Sequence, residues 1–264
     1  MKKKQILSHV LTAIGNSLRS RDMKVFLAGT SLGKCVLEEH KIDYILESFC
    51  SVKEWQIPYI KECKMFLLDS GAFTFLNSNK GKVDFNQYLK DYISFINKYD
   101  IKYFFELDID SIVGYEKVKE MRAVLEKGTG KKCIPVWHKS RGLEEWRRLT
   151  KEYDYIGLGG LAIKEIKPKE YKYLIPLLNI AKENGCKVHG LGFTNLKELK
   201  RYHFYSVDST SWISGEKFGM LYIFQDGTLK TISYKDRRIR DYMKSRHHNI
   251  EEWIKFQKYA DKFL

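Results

Sequence analysis

Residues 84–107 read DFNQYLKDYISFINKYDIKYFFEL, and this stretch holds in miniature the alternation on which the fold reading rests. In its first sixteen residues Phe85, Tyr88, Leu89, Tyr92, Ile93, Ile96 and Tyr99 recur three and four positions apart, which gathers them on one face of a helix. Asp84 with Gln87 forms a capping-box start. Past Asp100 the pattern shortens to the β-rich run 102–107, a strand candidate. The same beat extends outward in both directions, with further strand candidates at 23–28, 65–68, 133–137, 155–158, 187–191 and 204–207. Asn195 with Glu198 opens another helix. Pro168 suits the first turn of a third that Gly185 ends, and Pro176 inside it predicts a kink. Seven strands with intervening helices predict a parallel sheet. An eighth strand at 219–224 completes an α/β fold of the (β/α)8 TIM-barrel type; an open doubly wound sheet is the alternative. Around Asp226-Gly227 the chain reads as a C-terminal β-hairpin, 221–224 with 229–234. The tail 235–264 is a basic helical extension, its helix capped by Asn249 and carrying Ile250, Trp253, Ile254 and Phe256. No repeat or linker divides residues 1–264, so one domain is expected.

The 264 residues are 44% hydrophobic and 14% aromatic, enough to fill a large core and to exclude a disordered or fibrous chain. Lys and Arg number 47 against 33 Asp and Glu, a net charge of +14. Counterion release then makes nucleic acid the leading partner and an anionic membrane surface a distant second. Charge alone does not separate DNA from RNA. Cys35, Cys50, Cys63, Cys133 and Cys186 are widely spaced and read as free thiols. No apolar run spans a bilayer, and the start lacks a signal-peptide core, so no membrane association and a cytoplasmic location are expected.

Strand ends are where a barrel builds its site, and here they are polar: Asp69-Ser70-Gly71-Ala72-Phe73, Glu106-Leu107-Asp108, Trp137-His138, Gly159-Gly160-Leu161-Ala162, His189-Gly190-Leu191-Gly192 and Asp208-Ser209. Convergent carboxylates beside glycines suit chemistry at a sugar anomeric carbon. One attacks C1′ as a nucleophile while a second manages the proton of the base. Gly159 and Gly160 are candidates to present backbone groups to a base edge, and Phe73 or Trp137 to stack on its face. The plainer reading of any single one of these Asp residues is a helix cap or turn, and only their number argues further. Gly157-x-Gly159-Gly160 lacks dinucleotide-site spacing, and Gly29 to Lys34 falls one residue short of a phosphate loop. Tyr88, Tyr92, Trp146 and Trp253 read as packing residues.

In order and spacing, residues 69–211 resemble the tRNA-guanine transglycosylase superfamily, (β/α)8 enzymes that exchange guanine for a 7-deazaguanine through a covalent enzyme-sugar intermediate. The resemblance implies Asp208 as nucleophile and Asp69 as general base. It implies a base-binding set of Ser70, Phe73, Asp108, His138, Gly159, Gly160 and Leu161, with His138 standing where the family carries a Gln. The family's tRNA enzymes carry a C-terminal zinc site of cysteines and a His, whereas no Cys follows Cys186 here. His247 and His248 cannot rebuild it without thiolates and are expected to face solvent or phosphate, so neither metal nor other cofactor is expected. The short form is similar to the phage and bacterial members that insert preQ0-like bases into DNA. The implied partners are DNA and a free 7-deazaguanine base, in the cytoplasm of a bacterial or phage-infected cell. The alternatives are a tRNA substrate and a non-catalytic nucleic-acid-binding subunit. Arg237, Arg238, Arg240, Lys244 and Arg246 are candidates for phosphate contacts, or else a solvated charged face.

Overall fold

The computed structural model describes residues 22–30, 33–71, 83–193, 195, 198–213, 219–233 and 241–264. In chain order its elements are β1 Lys24–Ala28, α1 Lys34–Glu39, β2 Tyr44–Ser48, α2 Ile57–Glu62, β3 Met65–Asp69, α3 Phe85–Tyr99, α4 Asp110–Val113, α5 Tyr115–Thr129 and β4 Val136–Trp137. There follow α6 Gly142–Glu152, β5 Tyr155–Leu158, α7 Leu174–Glu183, β6 Lys187–Gly190, β7 Ser206–Ser209, β8 Met220–Gln225, β9 Thr228–Ser233 and α8 Tyr242–Phe263.

Seven parallel strands run in the order β3-β2-β1-β7-β6-β5-β4. The sheet curls in a TIM-like manner; Phe104 bridges to Leu68 of β3, and Phe105 to Ile134, two residues before β4. Strands buried on two faces need apolar residues at every position, not alternate ones. Val25 and Leu27 join the layer beneath the helices. Phe26, Ala28, Tyr44, Leu46, Met65, Leu67, Phe105, Ile134, Val136 and Tyr155 form a separate cluster on the other face.

Two strand expectations are corrected. The run 219–224 is not a stave of the parallel sheet, because β8 pairs only with β9, in an antiparallel ladder from Met220↔Ser233 to Gln225↔Thr228. Its place is taken by β2, between β1 and β3. Glu47 disguised that strand by interrupting an apolar run; the carboxyl is buried because Thr30 Oγ1 donates to it at 2.6 Å. The β8–β9 turn puts Asp226 and Gly227 at φ 55° and 72°, the left-handed pair a two-residue hairpin requires.

Asp84 caps α3, its Oδ1 accepting from the amides of Asn86 and Gln87, while the Gln87 side chain turns to Asp91 and leaves the capping box half closed. Pro176 does not kink its helix. A 3-10 segment, Pro168–Tyr173, precedes α7 and puts Pro176 in the first α-turn, where a missing N–H costs nothing. Asn195 and Glu198 flank residues outside the described set, and the described residues 198–200 form a turn.

The last helix starts earlier than expected, at Tyr242 behind an Asp241 cap. Asn249 is therefore interior and fully buried, accepting from the Tyr222 amide at 3.0 Å and donating to the carbonyls of Met220 and Trp212. Ile250, Trp253 and Phe256 are buried around it, each worth about 1.5–3 kcal/mol on leaving water. Lower on α8, Gln257 Nε2 donates to the Val25 and Tyr44 carbonyls, and Asp261 pairs with Lys64 beside the start of β3. Trp212, next to Asn249, donates to the carbonyl of Ala28, the last residue of β1. The helix thus runs from the carboxyl ends of the strands to their amino ends. All five cysteines are free thiols, and among the described residues no helix is long and apolar enough to cross a membrane.

Candidate active site

Asp69 is the last residue of β3. Its Oδ2 accepts the Gly71 amide at 3.0 Å, a turn that holds Gly71 at φ +83°, where an added Cβ would collide with Cys50 Sγ. Loss of water around the Asp69 carboxyl pushes its pKa up to about 6; the Gly71 N–H pulls it back, and the charges of Asp108 and Asp208 push it further. Asp108 and Asp208, from distant parts of the chain, thus lie near enough for their charges to act on Asp69.

On β7, Asp208 is oriented through a single oxygen. Oδ1 accepts from His189 Nε2 at 3.1 Å and from the Gly192 amide at 2.7 Å. A carboxylate oxygen accepts, so Nε2 donates in this bond, and Nδ1 on the other side of the ring lies 2.7 Å from Ser206 Oγ. Ser206 in turn lies 2.5 Å from the Tyr155 hydroxyl. His189 and Ser206 are fully buried. Tyr155, Ser206 and His189 thus form a fixed chain that ends on Asp208, with Oδ2 as the oxygen these bonds leave to a ligand.

Across the mouth, His138 is held between two acids. Its Nε2 lies 2.8 Å from Asp108 Oδ2 and its Nδ1 2.9 Å from Glu165 Oε2. Burial alone would lower its pKa, but the bonds to Asp108 and Glu165 outweigh that and raise it to about 9, so the ring is an imidazolium at neutral pH. Arg141 knits the acids together from below: Nη2 reaches Asp108 Oδ1 at 3.2 Å, Nε reaches Asp110 at 3.0 Å and Nη1 reaches Glu106 at 2.9 Å. Glu106 is fully buried and also takes Arg122 Nε at 2.5 Å and the Val136 amide at 2.8 Å. Donor atoms of Asp108, Asp110 and His138 lie within 4.8 Å of one another, a spacing that also suits a metal ion, but the Arg141 cation already bridges both acids.

Among the expected base-binding residues, Ser70 is buried beside Asp69, and its hydroxyl has no hydrogen-bond partner among the described residues. The Gly159 amide is used within the sheet, donating to the Trp137 carbonyl at 2.9 Å, and the Gly160 and Leu161 carbonyls accept from Ile166 and Lys164 in the following turn. Gly159 instead makes room, since a Cβ there would lie 2.6 Å from His138 Cε1. Phe73, Arg237, Arg238 and Arg240 lie outside the described residues. Lys244 is exposed on the first turns of α8, and the half-buried Arg246 reaches toward Gly33. His247 and His248 do not simply face solvent: His247 meets His40, and His248 lies 2.9 Å from the Tyr222 carbonyl.

Sequence reasoning assigned no role to Arg141, Glu106, Glu165, Ser206 or Tyr155. Glu106 alone carried a signal, since a charge inside a buried strand must find partners.

No family model matches the sequence, and no curated protein matches it. Among solved structures the chain is similar to the carboxyl transferase domain of Rhizobium etli pyruvate carboxylase, solved with 3-bromopyruvate. The identity is 11% and the TM-score 0.49, over 92% of this chain and 49% of that one, so this chain spans about half of that neighbour's length.

Proposed function

We propose that this chain is a base-exchanging glycosyltransferase of the tRNA-guanine transglycosylase type, replacing guanine in DNA with a preQ0-like 7-deazaguanine. Counted with Phe104 and Phe105 as the eighth stave, the curled sheet is then a (β/α)8 barrel with its site at the carboxyl ends of the strands. The observation that carries the reading is the meeting of a nucleophile and an acid-base group at one mouth: Asp208, presented through His189 and Gly192, and Asp69, tuned to about 6.

In the first half-reaction Asp208 Oδ2 bonds to C1′ of a deoxyguanosine. The N-glycosidic bond breaks, its electron pair leaves with guanine, and Asp69 supplies the proton. In the second, the incoming base gives its ring N–H proton to Asp69, its nitrogen bonds to C1′, and the Asp208 carboxylate departs. Asp108 accepts from the purine's N–H groups, and the buried Ser70 hydroxyl gains the partner it lacks among the described residues. Phe73 is the proposed stacking residue. Lys244 and Arg246 sit at the mouth end of α8, where phosphates of a docked strand would pass, as the net charge of +14 favours. A target inside a duplex must first leave the stack, so single-stranded or easily opened sites react faster.

The test is incubation of the protein with isotopically labelled preQ0 or guanine and, separately, duplex DNA, single-stranded DNA and tRNA, read by nucleoside mass spectrometry. Label in deoxynucleosides is expected. Label only in tRNA moves the same chemistry to the other polymer, and label in none overturns the exchange reading.

The pH dependence follows from Asp69. Guanine departure needs its protonated form, so kcat/KM for the nucleic acid should fall as pH rises through about 6, approaching tenfold per unit above it. In Asp69→Asn the rate drops by about 10²–10⁴ and this limb disappears. A wild-type profile flat across this range removes Asp69 from the role.

A further inference from the structure

We infer that Glu39, His40 and His247 form a binding site for a divalent transition-metal ion, at which α1 and α8 are fastened together. Glu39 is the last residue of α1 and His40 its C-cap, in extended conformation. His247 lies 207 residues later, on α8. His40 Nε2 is 2.9 Å from His247 Nδ1, and Glu39 Oε2 is 3.3 Å from that same Nδ1. One ligand atom from each of these three residues lies within 4.8 Å of the others.

The donor chemistry is selective. Two imidazole nitrogens and a carboxylate suit zinc, nickel or copper, whereas calcium and magnesium take oxygen alone. Two metal-nitrogen bonds in a tetrahedral site hold their nitrogens roughly 3.3 Å apart. The pair must therefore open by only a few tenths of an ångström, well within the freedom of half-buried side chains. The neighbouring His248 points to the Tyr222 carbonyl and is outside the set. The acids around His138 are tied up by Arg141 and belong to the other site.

A metal here would bind only the folded chain, because its ligands come together only when α8 is docked, and would stabilise it by mass action. The experiment is a titration of the full chain, untagged and stripped with chelator, with zinc chloride, by calorimetry and by thermal unfolding. One equivalent is expected to bind with a dissociation constant of about micromolar or lower, and saturating zinc to raise Tm by about 5 °C. In His40→Ala and in His247→Ala the affinity falls at least about tenfold and the Tm shift vanishes, while His138→Ala keeps both. If either alanine variant has a lowered metal-free Tm, the isosteric Glu39→Gln gives the reading, since it removes a ligand and keeps the packing. Absence of saturable zinc uptake by the wild type overturns the site, as does unchanged affinity in the His40→Ala/His247→Ala double variant. Neither outcome bears on base exchange, which uses other residues.

Discussion

Replacing Asp208 with Asn is expected to lower base exchange by on the order of 10⁴-fold or more while the chain stays folded. An amide oxygen can still accept from His189 and from the Gly192 amide, the two bonds that seat this side chain, so Tm should move by little. What the amide lacks is an anionic oxygen able to form an ester with C1′. Trapping supplies the decisive readout: wild-type protein incubated with the nucleic acid and quenched in denaturant should carry a covalent nucleic-acid adduct, seen as a shifted band, and Asp208→Asn should carry none. The change also removes one of the two negative charges that raise the Asp69 pKa, so that carboxyl should titrate below its wild-type value of about 6. Wild-type turnover in the variant would reject Asp208 as the nucleophile.

The largest loss of stability is expected at Glu106. This carboxyl is fully buried and neutralises parts of two guanidinium groups, Arg122 and Arg141, themselves almost wholly buried. Glu106→Ala leaves both cations facing a cavity and deprives the Val136 amide of its acceptor. Breaking a buried pair in this way costs about 3–5 kcal/mol, which in a chain of this size lowers Tm by about 10 °C. Glu106→Gln should lie between, keeping acceptors for the amide and one arginine but losing the charge. Denaturation followed by circular dichroism measures both. A Tm within about 2 °C of wild type in Glu106→Ala would mean that the arginines find other partners. Because Arg141 also holds Asp108 and Asp110, exchange activity should fall along with stability.

The parallel sheet with its helices was legible because its determinants are local. The periodicity in 84–107, the Asp84 cap and the Asp226-Gly227 turn each act over a few residues, and local rules read them correctly. The errors come where a distant residue decides. Glu47 made β2 look unlike a strand until Thr30 supplied its partner. Asn249 looked like a cap because Asn so often is one, yet the edge of the β8–β9 hairpin takes its hydrogen bonds. At the mouth, Asp69, Asp108 and Asp208 could be picked out because a polar residue directly after an apolar strand stands out in one dimension. The tethers of those acids could not. Arg141, Glu165 and the Tyr155-Ser206-His189 chain come from separate strands and turns and gain meaning only when the sheet curls. The backbone of Gly159 shows the converse, since its sequence suggested an amide offered to a ligand and the sheet ladder uses that amide itself.

The docking of α8 has a consequence for how the molecule is made. Strand β1 is flanked by β7, with Lys24 opposite Ser206, and the Val25 carbonyl is taken by Gln257, 232 residues downstream. A ribosome adding about 5–20 residues each second needs roughly ten seconds or longer to reach β7 after β1 has emerged. Throughout that interval the first strand presents an open edge. The bond from Gln257 to β1 forms later still, because α8 follows β7 in the chain. A chain stalled anywhere before β7 leaves its earliest strand exposed to any neighbour with an edge to pair.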